Sequence, residues 1–279
     1  MAAQAQPDVI EQGDVTALLR YTVDTGIKPV NETYGPAGLM RRQIGTMEDK
    51  AVVIHNGRLR ARELKLDTQG FELVQAPTKM HNYFDEAELK SVGYAETKAL
   101  IKQASGATRV HIFDHTLRSG DEAERMAKKI REPVRAVHND YTEWSGPQRI
   151  RDIFPDKADE ILKRRFAIIQ VWRPINGPVE ADPFALADAR SLDEKDFIAA
   201  ERRHPDRVGE IYQFKFNKNN RWYYFPRMTR DEAIVFKVYD SAKDGRARWT
   251  GHTSFEDPAT PSGAPPRESI ELRAFAFFD

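Results

Sequence analysis

Three short elements of the sequence carry side chains that could hold a metal ion together. His138 and Asp140 form an H-x-D pattern, and alternate residues of a β-strand point to the same face. An imidazole and a carboxylate two residues apart can therefore bind one metal ion from one side. A distant histidine, His252, would complete a 2-His-1-carboxylate triad, which binds Fe(II) and leaves positions open for oxygen and a co-substrate. The chemistry that this pattern predicts is oxygen activation.

An R-x-S pattern, Arg267 to Ser269, begins fifteen positions after His252. A planar guanidinium binds a carboxylate through two parallel hydrogen bonds, so Arg267 could anchor a dicarboxylic acid beside the metal. Each element alone is common: H-x-D is also typical of a surface histidine beside a turn, and His252 precedes a proline-rich loop. Their order, and the strand-like segment beside each one, favour the metal site.

The remaining five of the seven histidines are weaker candidates. His111 and His115 are four residues apart, but the segment around them has the composition of a strand, in which that interval spans about 13 Å. We expect Asp114 and His115 to line the pocket or to form internal hydrogen bonds. Structural or solvent-exposed positions are expected for the other three, His55, His81 and His204.

The composition narrows the class of protein. Lys and Arg together number 43 and balance 43 Asp and Glu, so no overall field attracts the chain to nucleic acid or to an anionic membrane. No run of about 18 apolar residues predicts a membrane-spanning helix, and residues 1–12 lack the apolar segment of a secretory signal. Cysteine is absent, which excludes disulfides and thiolate chemistry. These features favour a cytoplasmic enzyme with a small-molecule substrate.

The pattern of apolar residues predicts many strands, with helices in the first two thirds of the chain. Helices are expected at residues 85–103, at 121–130 and at 147–165, the last broken at Pro155. Residues 182–200 are expected to form a turn and then a helix that begins near Asp193. The predicted strands, rich in aromatic and β-branched residues, are 109–113, 134–137, 166–172, 210–216, 222–225, 233–239 and 270–278.

Residues 1–13 are predicted to be a flexible tail, and residues 14–83 an antiparallel β-rich region. Asn56-Gly57 predicts a hairpin with a type I′ turn, which needs positive φ at both central positions. We expect this region to cover the pocket mouth as a lid, or to form an edge sheet or an oligomer contact. With residues 84–279 it would form a single domain, a barrel or jelly roll backed by helices.

Seven segments also carry a resemblance to a known family. In chain order they are 138–142 (HNDYT), 145–149 (SGPQR), 171–175 (VWRPI), 221–224 (RWYY), 236–241 (FKVYDS), 252–255 (HTSF) and 266–273 (PRESIELR). Together they resemble the family of the cephamycin 7α-methoxylase component and of fungal secondary-metabolite hydroxylases, desaturases and endoperoxide-forming enzymes. The resemblance covers about residues 80 to 279.

Members of that family are Fe(II)- and 2-oxoglutarate-dependent oxygenases with a double-stranded β-helix, a cupin-like jelly roll. The resemblance implies that His138, Asp140 and His252 bind iron, and that Arg267 and Ser269 bind the distal carboxylate of 2-oxoglutarate. It also implies O₂ as the oxidant, a small secondary metabolite or amino-acid-derived compound as substrate, and succinate and CO₂ as co-products. The interval between His252 and Arg267 is longer than in better-known members because a Pro/Ser/Gly loop intervenes.

Several alternatives stay open on the sequence. The same triad would suit a metal-dependent hydrolase or isomerase, which has no need of Arg267 and Ser269, and a non-catalytic subunit of an oxygenase complex would be expected to lose a ligand. A homodimer, or a heterodimer with a related oxygenase, is compatible with the chain. Arg149 and Arg173 are expected to form buried salt bridges rather than to bind a carboxylate. One or two residues of an aromatic set are expected to line the substrate cavity, the set being Trp144, Trp172, Trp222, Tyr223 and Tyr224.

Overall fold

The protein is built from two β-sheets packed face to face, in a computed structural model that describes residues 13–34, 40–205 and 207–278. The flexible tail predicted for residues 1–13 lies, except for Gly13, outside the described residues. Aromatic rings fill the space between the sheets: Trp172 of one sheet stacks on Phe184 of the other, with ring centroids 5.1 Å apart. The predicted class, mainly β with a jelly-roll core backed by helices, is confirmed.

Fifteen strands make up the described sheets. They are β1 (Val15–Val23), β2 (Val30–Tyr34), β3 (Met40–Ile44), β4 (Thr46–Asn56), β5 (Phe71–Gln75), β6 (Arg109–Ser119), β7 (His138–Asn139), β8 (Phe166–Pro174), β9 (Phe184–Ala187), β10 (Phe197–His204), β11 (Arg207–Phe214), β12 (Trp222–Tyr224), β13 (Glu232–Asp240), β14 (His252–Ser254) and β15 (Glu268–Phe277). The larger sheet runs β1-β4-β12-β9-β14-β7-β11-β10-β2-β3, and the smaller sheet runs β5-β13-β8-β15-β6.

The continuous apolar run of β8 follows from its central place in the smaller sheet. All nine of its residues are buried. Phe166, Ile168 and Trp172 face the other sheet and belong to the core between the sheets. The intervening Ala167 and Ile169 belong to a second core on the outer face. A strand covered on both faces loses polar–apolar alternation, and the prediction of a central strand at 166–172 is confirmed.

Helices cover the outer face of the smaller sheet and one end of the barrel. They are α1 (Glu86–Glu88), joined by a π-helical turn (Leu89–Gly93) to α2 (Tyr94–Ser105), then α3 (Glu122–Lys128), α4 (Ser145–Ile153) and α5 (Ala158–Ile161). Asp85 caps α1 by accepting hydrogen bonds from the amides of Ala87 and Glu88, and Gly106 ends α2 with φ +73°. None of the described helices is long and apolar enough to cross a membrane.

Three predictions about local structure are wrong. Asn56-Gly57 forms no hairpin: the side chain of Asn56 accepts a hydrogen bond from the amide of Arg58 and starts a 3₁₀ turn, Gly57–Arg60. Glycine is needed there because a Cβ would lie 2.6 Å from the ring of Phe225. The helix expected within 182–200 is replaced by β9, two 3₁₀ turns (Ala189–Ser191, Glu194–Asp196) and β10. The residues after Asp193, where the helix was expected, pair instead as β10 with β11 and β2.

Segment 134–137 is also not a strand, since strand pairing begins at His138 and Ala136 makes only an isolated bridge to Arg20. Residues 14–83 contribute to both sheets rather than forming a separate layer. β1 and β4 end one side of the larger sheet, β2 and β3 end the other, and β5 ends the smaller sheet. The roles of this region as a lid or as an oligomer contact, and the single-domain assignment, stay predictions.

Candidate metal centre and active site

The two histidines of the predicted triad lie side by side on neighbouring strands. His138 of β7 is the direct register partner of His252 of β14 in an antiparallel pair. Their ring centroids are 4.3 Å apart, and the exposed fractions of the two residues are 9% and 2%. Asp140 follows β7 by one residue, and its Oδ1 lies 3.5 Å from Nε2 of His138. The three potential ligand atoms all lie within 4.8 Å of one another.

Hydrogen bonds orient both imidazole rings in the same way. Nδ1 of His138 lies 2.8 Å from the carbonyl oxygen of Ala136, and Nδ1 of His252 lies 2.8 Å from that of Thr250. A carbonyl oxygen only accepts, so both Nδ1 atoms carry the proton and both Nε2 atoms present a lone pair. Nε2 of His252 is buried and has no hydrogen-bond partner within the described chain.

The electrostatic state of the triad suits a divalent cation. Burial lowers the pKa of His138 to about 4, and burial also lowers the pKa of His252, so both rings are neutral at pH 7. Burial would raise the pKa of Asp140, but the charge of Arg273 and the hydrogen bond from Gln170 hold the pKa below its ordinary value. Two neutral imidazoles and one carboxylate are therefore ready to bind without losing protons.

Asn139, between the two ligands, faces away from the triad and fixes its strands. Its Nδ2 donates to the carbonyl oxygens of Tyr141 at 2.7 Å and Val238 at 2.8 Å. Its Oδ1 accepts from the amide of Thr250 at 3.1 Å. Because the carbonyl of Thr250 in turn orients His252, Asn139 links the H-x-D element to the distal histidine.

Two residues of the smaller sheet hold the outer oxygen of Asp140. Nε2 of Gln170 on β8 donates to Oδ2 at 2.7 Å, and Nε of Arg273 on β15 donates to the same atom at 3.0 Å. Gln170 and Arg273 are register partners, which is why they converge on one atom. Both donors engage Oδ2, so Oδ1 remains the carboxylate oxygen directed toward the histidines.

Arg267 and Ser269 lie at the start of β15 with unsatisfied polar atoms. Arg267 is 3% exposed, its Nη1 donates to the carbonyl oxygen of Asp182, and its guanidinium lies 5.4 Å from the ring centroid of Trp172. Burial lowers the pKa of Arg267 to about 10, so it stays charged at pH 7. The Nε of Arg267 and the Oγ of Ser269 are buried without a partner among the described residues.

These unsatisfied atoms fit Fe(II) and 2-oxoglutarate. Arg267, His138 and His252 line one small internal cavity. Buried polar atoms without partners are rare in proteins, yet here a ligand nitrogen of His252 and a guanidinium nitrogen of Arg267 belong to residues that line one cavity. Ser269, whose hydroxyl also has no partner among the described residues, shares a face of β15 with Arg267. His138, Asp140 and His252 would hold the metal, and Arg267 with Ser269 would hold the far carboxylate of the co-substrate. Fe(II) with 2-oxoglutarate supplies, when bound, an oxidant that can remove hydrogen from an unactivated carbon.

Both His138 and Asp140 line a larger cavity of about 420 Å³. Trp144 and Tyr141 line it, and so does Asn31 of β2 from the N-terminal region. With Trp172 at the small cavity, two residues of the aromatic set line the cavities that adjoin the triad, while Trp222 and Tyr224 pack in a separate core cluster. That one or two of the set line the substrate cavity stays a prediction.

The remaining candidates have structural contacts. Arg173 donates to two carbonyl oxygens, those of Ala76 and Arg230, and its Nη1 lies 3.8 Å from Glu96, in agreement with a supporting role. His115 pairs with the hydroxyl of Tyr94 at 2.9 Å. Asp114 lines the larger cavity and binds Arg273 at 3.1 Å. The other contacts are His111 with Phe154, His55 with Asp14, His81 with Glu88 and His204 with Thr33.

Sequence reasoning missed the two residues that hold Asp140. Gln170 has a visible signal, because it is the one polar residue within the apolar run 166–172. Arg273 entered the sequence analysis only as the last residue of the segment 266–273. Its signal is alternation on β15: residues 267, 269, 271 and 273 share one face, and all of them are polar.

Comparisons with known proteins agree with this geometry. The family model described as "Oxidoreductase/YMDC permease-like domain" matches residues 19–277. The chain is 34% identical over 267 residues to hydroxylase/desaturase CTB9 of Cercospora beticola, which covers 88% of this chain and 81% of that protein. It is 30% identical over 280 residues to the alpha-ketoglutarate-dependent dioxygenase phiK of Fungal sp. (strain ATCC 74256), covering 96% and 98%.

A solved structure shows the same fold. The iron and alpha-ketoglutarate-dependent endoperoxidase NvfI superposes with a TM-score of 0.82 at 25% sequence identity, covering 95% of this chain and 98% of that one.

Proposed function

Because this chain belongs to the family of Fe(II)- and 2-oxoglutarate-dependent hydroxylases, desaturases and endoperoxidases that these relatives represent, we propose that it oxidises a small secondary metabolite or amino-acid-derived compound at His138, Asp140 and His252. The chain is an enzyme, and its cofactors are Fe(II), 2-oxoglutarate and O₂. The observation that carries the site assignment is the cluster of three ligand atoms within 4.8 Å beside a buried, partly unpaired arginine.

Each residue has a distinct role in the proposal. The two imidazoles and the carboxylate bind the metal on one face and leave the other face open. Arg267 pairs with the distal carboxylate of 2-oxoglutarate, and Ser269 adds a hydrogen bond. For hydroxylation, 2-oxoglutarate, O₂ and the substrate C–H give succinate, CO₂ and the alcohol; the placement of the substrate decides between hydroxylation, desaturation, cyclisation and endoperoxide formation. A hydrolase or isomerase would leave Arg267 without a ligand, so we do not favour it.

The partner in this proposal is a small molecule rather than nucleic acid or a membrane surface, since the charges balance over the chain. We also propose that the enzyme acts in the cytoplasm, where a reducing environment keeps iron as Fe(II) and where proteins are rarely stabilised by disulfides, so a chain without cysteine is at no disadvantage. Cell fractionation with an antibody against the chain tests this. A homodimer or a heterodimer with a related oxygenase stays a prediction, which light scattering of the purified protein will check.

The direct test is to measure succinate formed from 2-oxoglutarate in air with added Fe(II). We expect succinate from the wild type and none from Asp140→Ala, which loses the anionic ligand and should no longer retain iron. Arg267→Lys keeps the charge but loses the two-pronged geometry, so the apparent affinity for 2-oxoglutarate should fall while iron content stays unchanged.

Two outcomes would contradict the assignment. Wild-type iron content and activity in Asp140→Ala would place the metal elsewhere. An unchanged 2-oxoglutarate requirement in Arg267→Ala would move the anchor to another arginine.

The substrate itself needs a separate experiment. An untargeted comparison of metabolites before and after deletion of the gene would identify it.

A further inference from the structure

The larger cavity beside the triad is unusually polar for a small-molecule site. Ligand pockets are mostly apolar, with a few placed polar groups, whereas charged residues are prominent here. Four carboxylates line the cavity: Asp114, Asp140, Asp152 and Glu210. Six guanidinium groups line it as well: Arg118, Arg131, Arg149, Arg202, Arg207 and Arg273. Positive charge is therefore in excess around the space where a substrate would lie.

Every one of the four carboxylates already accepts a hydrogen bond from the protein. Arg273 donates to Asp140 at 3.0 Å and to Asp114 at 3.1 Å. Gln148 donates to Asp152 at 2.8 Å, and Lys28 donates to Glu210 at 2.7 Å. All four negative charges of the lining are thus engaged within the protein.

Arg149 of α4 is the arginine best placed for that anion. Its Nε is buried and has no hydrogen-bond partner within the described chain. Its Nη1 lies 3.9 Å from Asp152, beyond hydrogen-bond distance. The guanidinium lies 5.4 Å from the ring centroid of Phe113, and that ring contacts Tyr141 with centroids 6.4 Å apart. Tyr141 directly follows Asp140, so Arg149 is only a few side chains from the metal site.

Two more unsatisfied groups line the same cavity. Nδ2 of Asn31 and Oε1 of Gln213 are buried without partners among the described residues. Gln213 is the register partner of His138, which places it next to the metal site. Together with Arg149 these atoms offer two kinds of donor and one acceptor. Such an arrangement matches a molecule that presents an acidic oxygen and a hydroxyl group.

Fe(II), Asp140, 2-oxoglutarate and Arg267 would cancel one another's charges when both cofactors are bound, so the cofactors would leave no net negative charge for Arg149 to pair with. We propose, on the basis of the proposed function above, that the substrate carries an ionised acid group, and that Arg149 binds this group. Arg149 then fixes which carbon of the substrate faces the metal. The apolar body of the substrate would lie against Trp144 and Tyr141.

The test compares acids with their uncharged amides as ligands. Protein loaded with Fe(II) and saturating 2-oxoglutarate, without oxygen, is titrated calorimetrically with three pairs: benzoic, 2-naphthoic and 1-adamantanecarboxylic acid, each against its primary amide. A charge-assisted hydrogen bond in a buried site predicts that acids bind about tenfold or more tightly than amides. Arg149→Gln should remove this preference, and Arg149→Lys should retain part of it.

Arg151→Gln is the matched control, because Arg151 lies on the same helix but is exposed; it should keep the full preference for acids. Equal binding of acids and amides by the wild type, or an undiminished preference in Arg149→Gln, would overturn the proposal. The visible charge-transfer band of metal-bound 2-oxoglutarate is recorded in every titration. A missing band would refute the proposed function itself, whereas a normal band without acid preference would refute only the substrate class.

Discussion

Gln170 should control how tightly the metal binds, although it does not touch the metal. Its Nε2 donates to Oδ2 of Asp140 at 2.7 Å from the opposite sheet, and it is fully buried. Replacing Gln170 by Leu removes this donor at nearly constant volume. The fold should tolerate the change, because Oε1 of Gln170 has no partner among the described residues and an apolar side chain fits a strand buried along its whole length.

The size of the effect follows from the hydrogen bonds of Asp140. A hydrogen bond to a charged group contributes about 1.5–3 kcal/mol, and the second donor, Arg273 at 3.0 Å, remains in the variant. We therefore expect the lower end of the range, a metal dissociation constant about tenfold larger. This agrees with the about 10- to 100-fold losses typical when a group that orients a metal ligand is removed.

The assay is anaerobic titration with Fe(II), and with Co(II), whose visible spectrum reports coordination geometry. Gln213→Leu serves as the control, because Gln213 is also a buried glutamine near His138 but does not contact Asp140. Affinity in Gln170→Leu within twofold of the wild type, in a protein that is folded by circular dichroism, would refute the idea that this donor orients the ligand. An equal loss in Gln213→Leu would show that any buried substitution loosens the site.

Two further predictions concern stability. Lys237 is fully buried and donates to Asp240 at 2.8 Å; Lys237→Met should lower the free energy of unfolding by about 3 kcal/mol in denaturant titrations, whereas the same change at exposed Lys243 should cost less than about 0.5 kcal/mol. The second prediction concerns Glu268, whose pKa is raised from 4.5 to about 7 by a hydrogen bond with Glu124 and by burial. The stability that the proton of Glu268 confers is therefore present below pH 4.5 and is lost as the pH rises through 7. The melting temperature of Glu268→Gln, which keeps a donor toward Glu124, should therefore rise further above that of the wild type as the pH increases from 5 to 8. The gain in the free energy of unfolding should be no more than about 1 kcal/mol, because Glu268 is partly solvated. A difference in melting temperature that does not change with pH would contradict this.

Errors in the sequence-based predictions occurred where distant contacts override local preference. Asn56-Gly57 has the composition of a hairpin turn, but the ring of Phe225 occupies the space beside Gly57 and the chain crosses to the other sheet instead. The residues after Asp193 were expected to form a helix, yet Phe197–His204 pairs with β11 and with the distant strand β2. Predictions held for segments whose own pattern was decisive, such as the capped helix that begins after Asp85.

The sequence by itself determined the chemical groups and their spacing. Alternation along a strand places His138 and Asp140 on one face and gives β15 a polar face that includes Arg267 and Arg273. Only the tertiary structure decided which distant residues meet these groups. His252 is paired with His138 across 114 positions of the chain, and Gln170 reaches Asp140 from the other sheet. The physical reason is that strand register and the packing of two sheets depend on contacts between remote segments, which local periodicity does not specify.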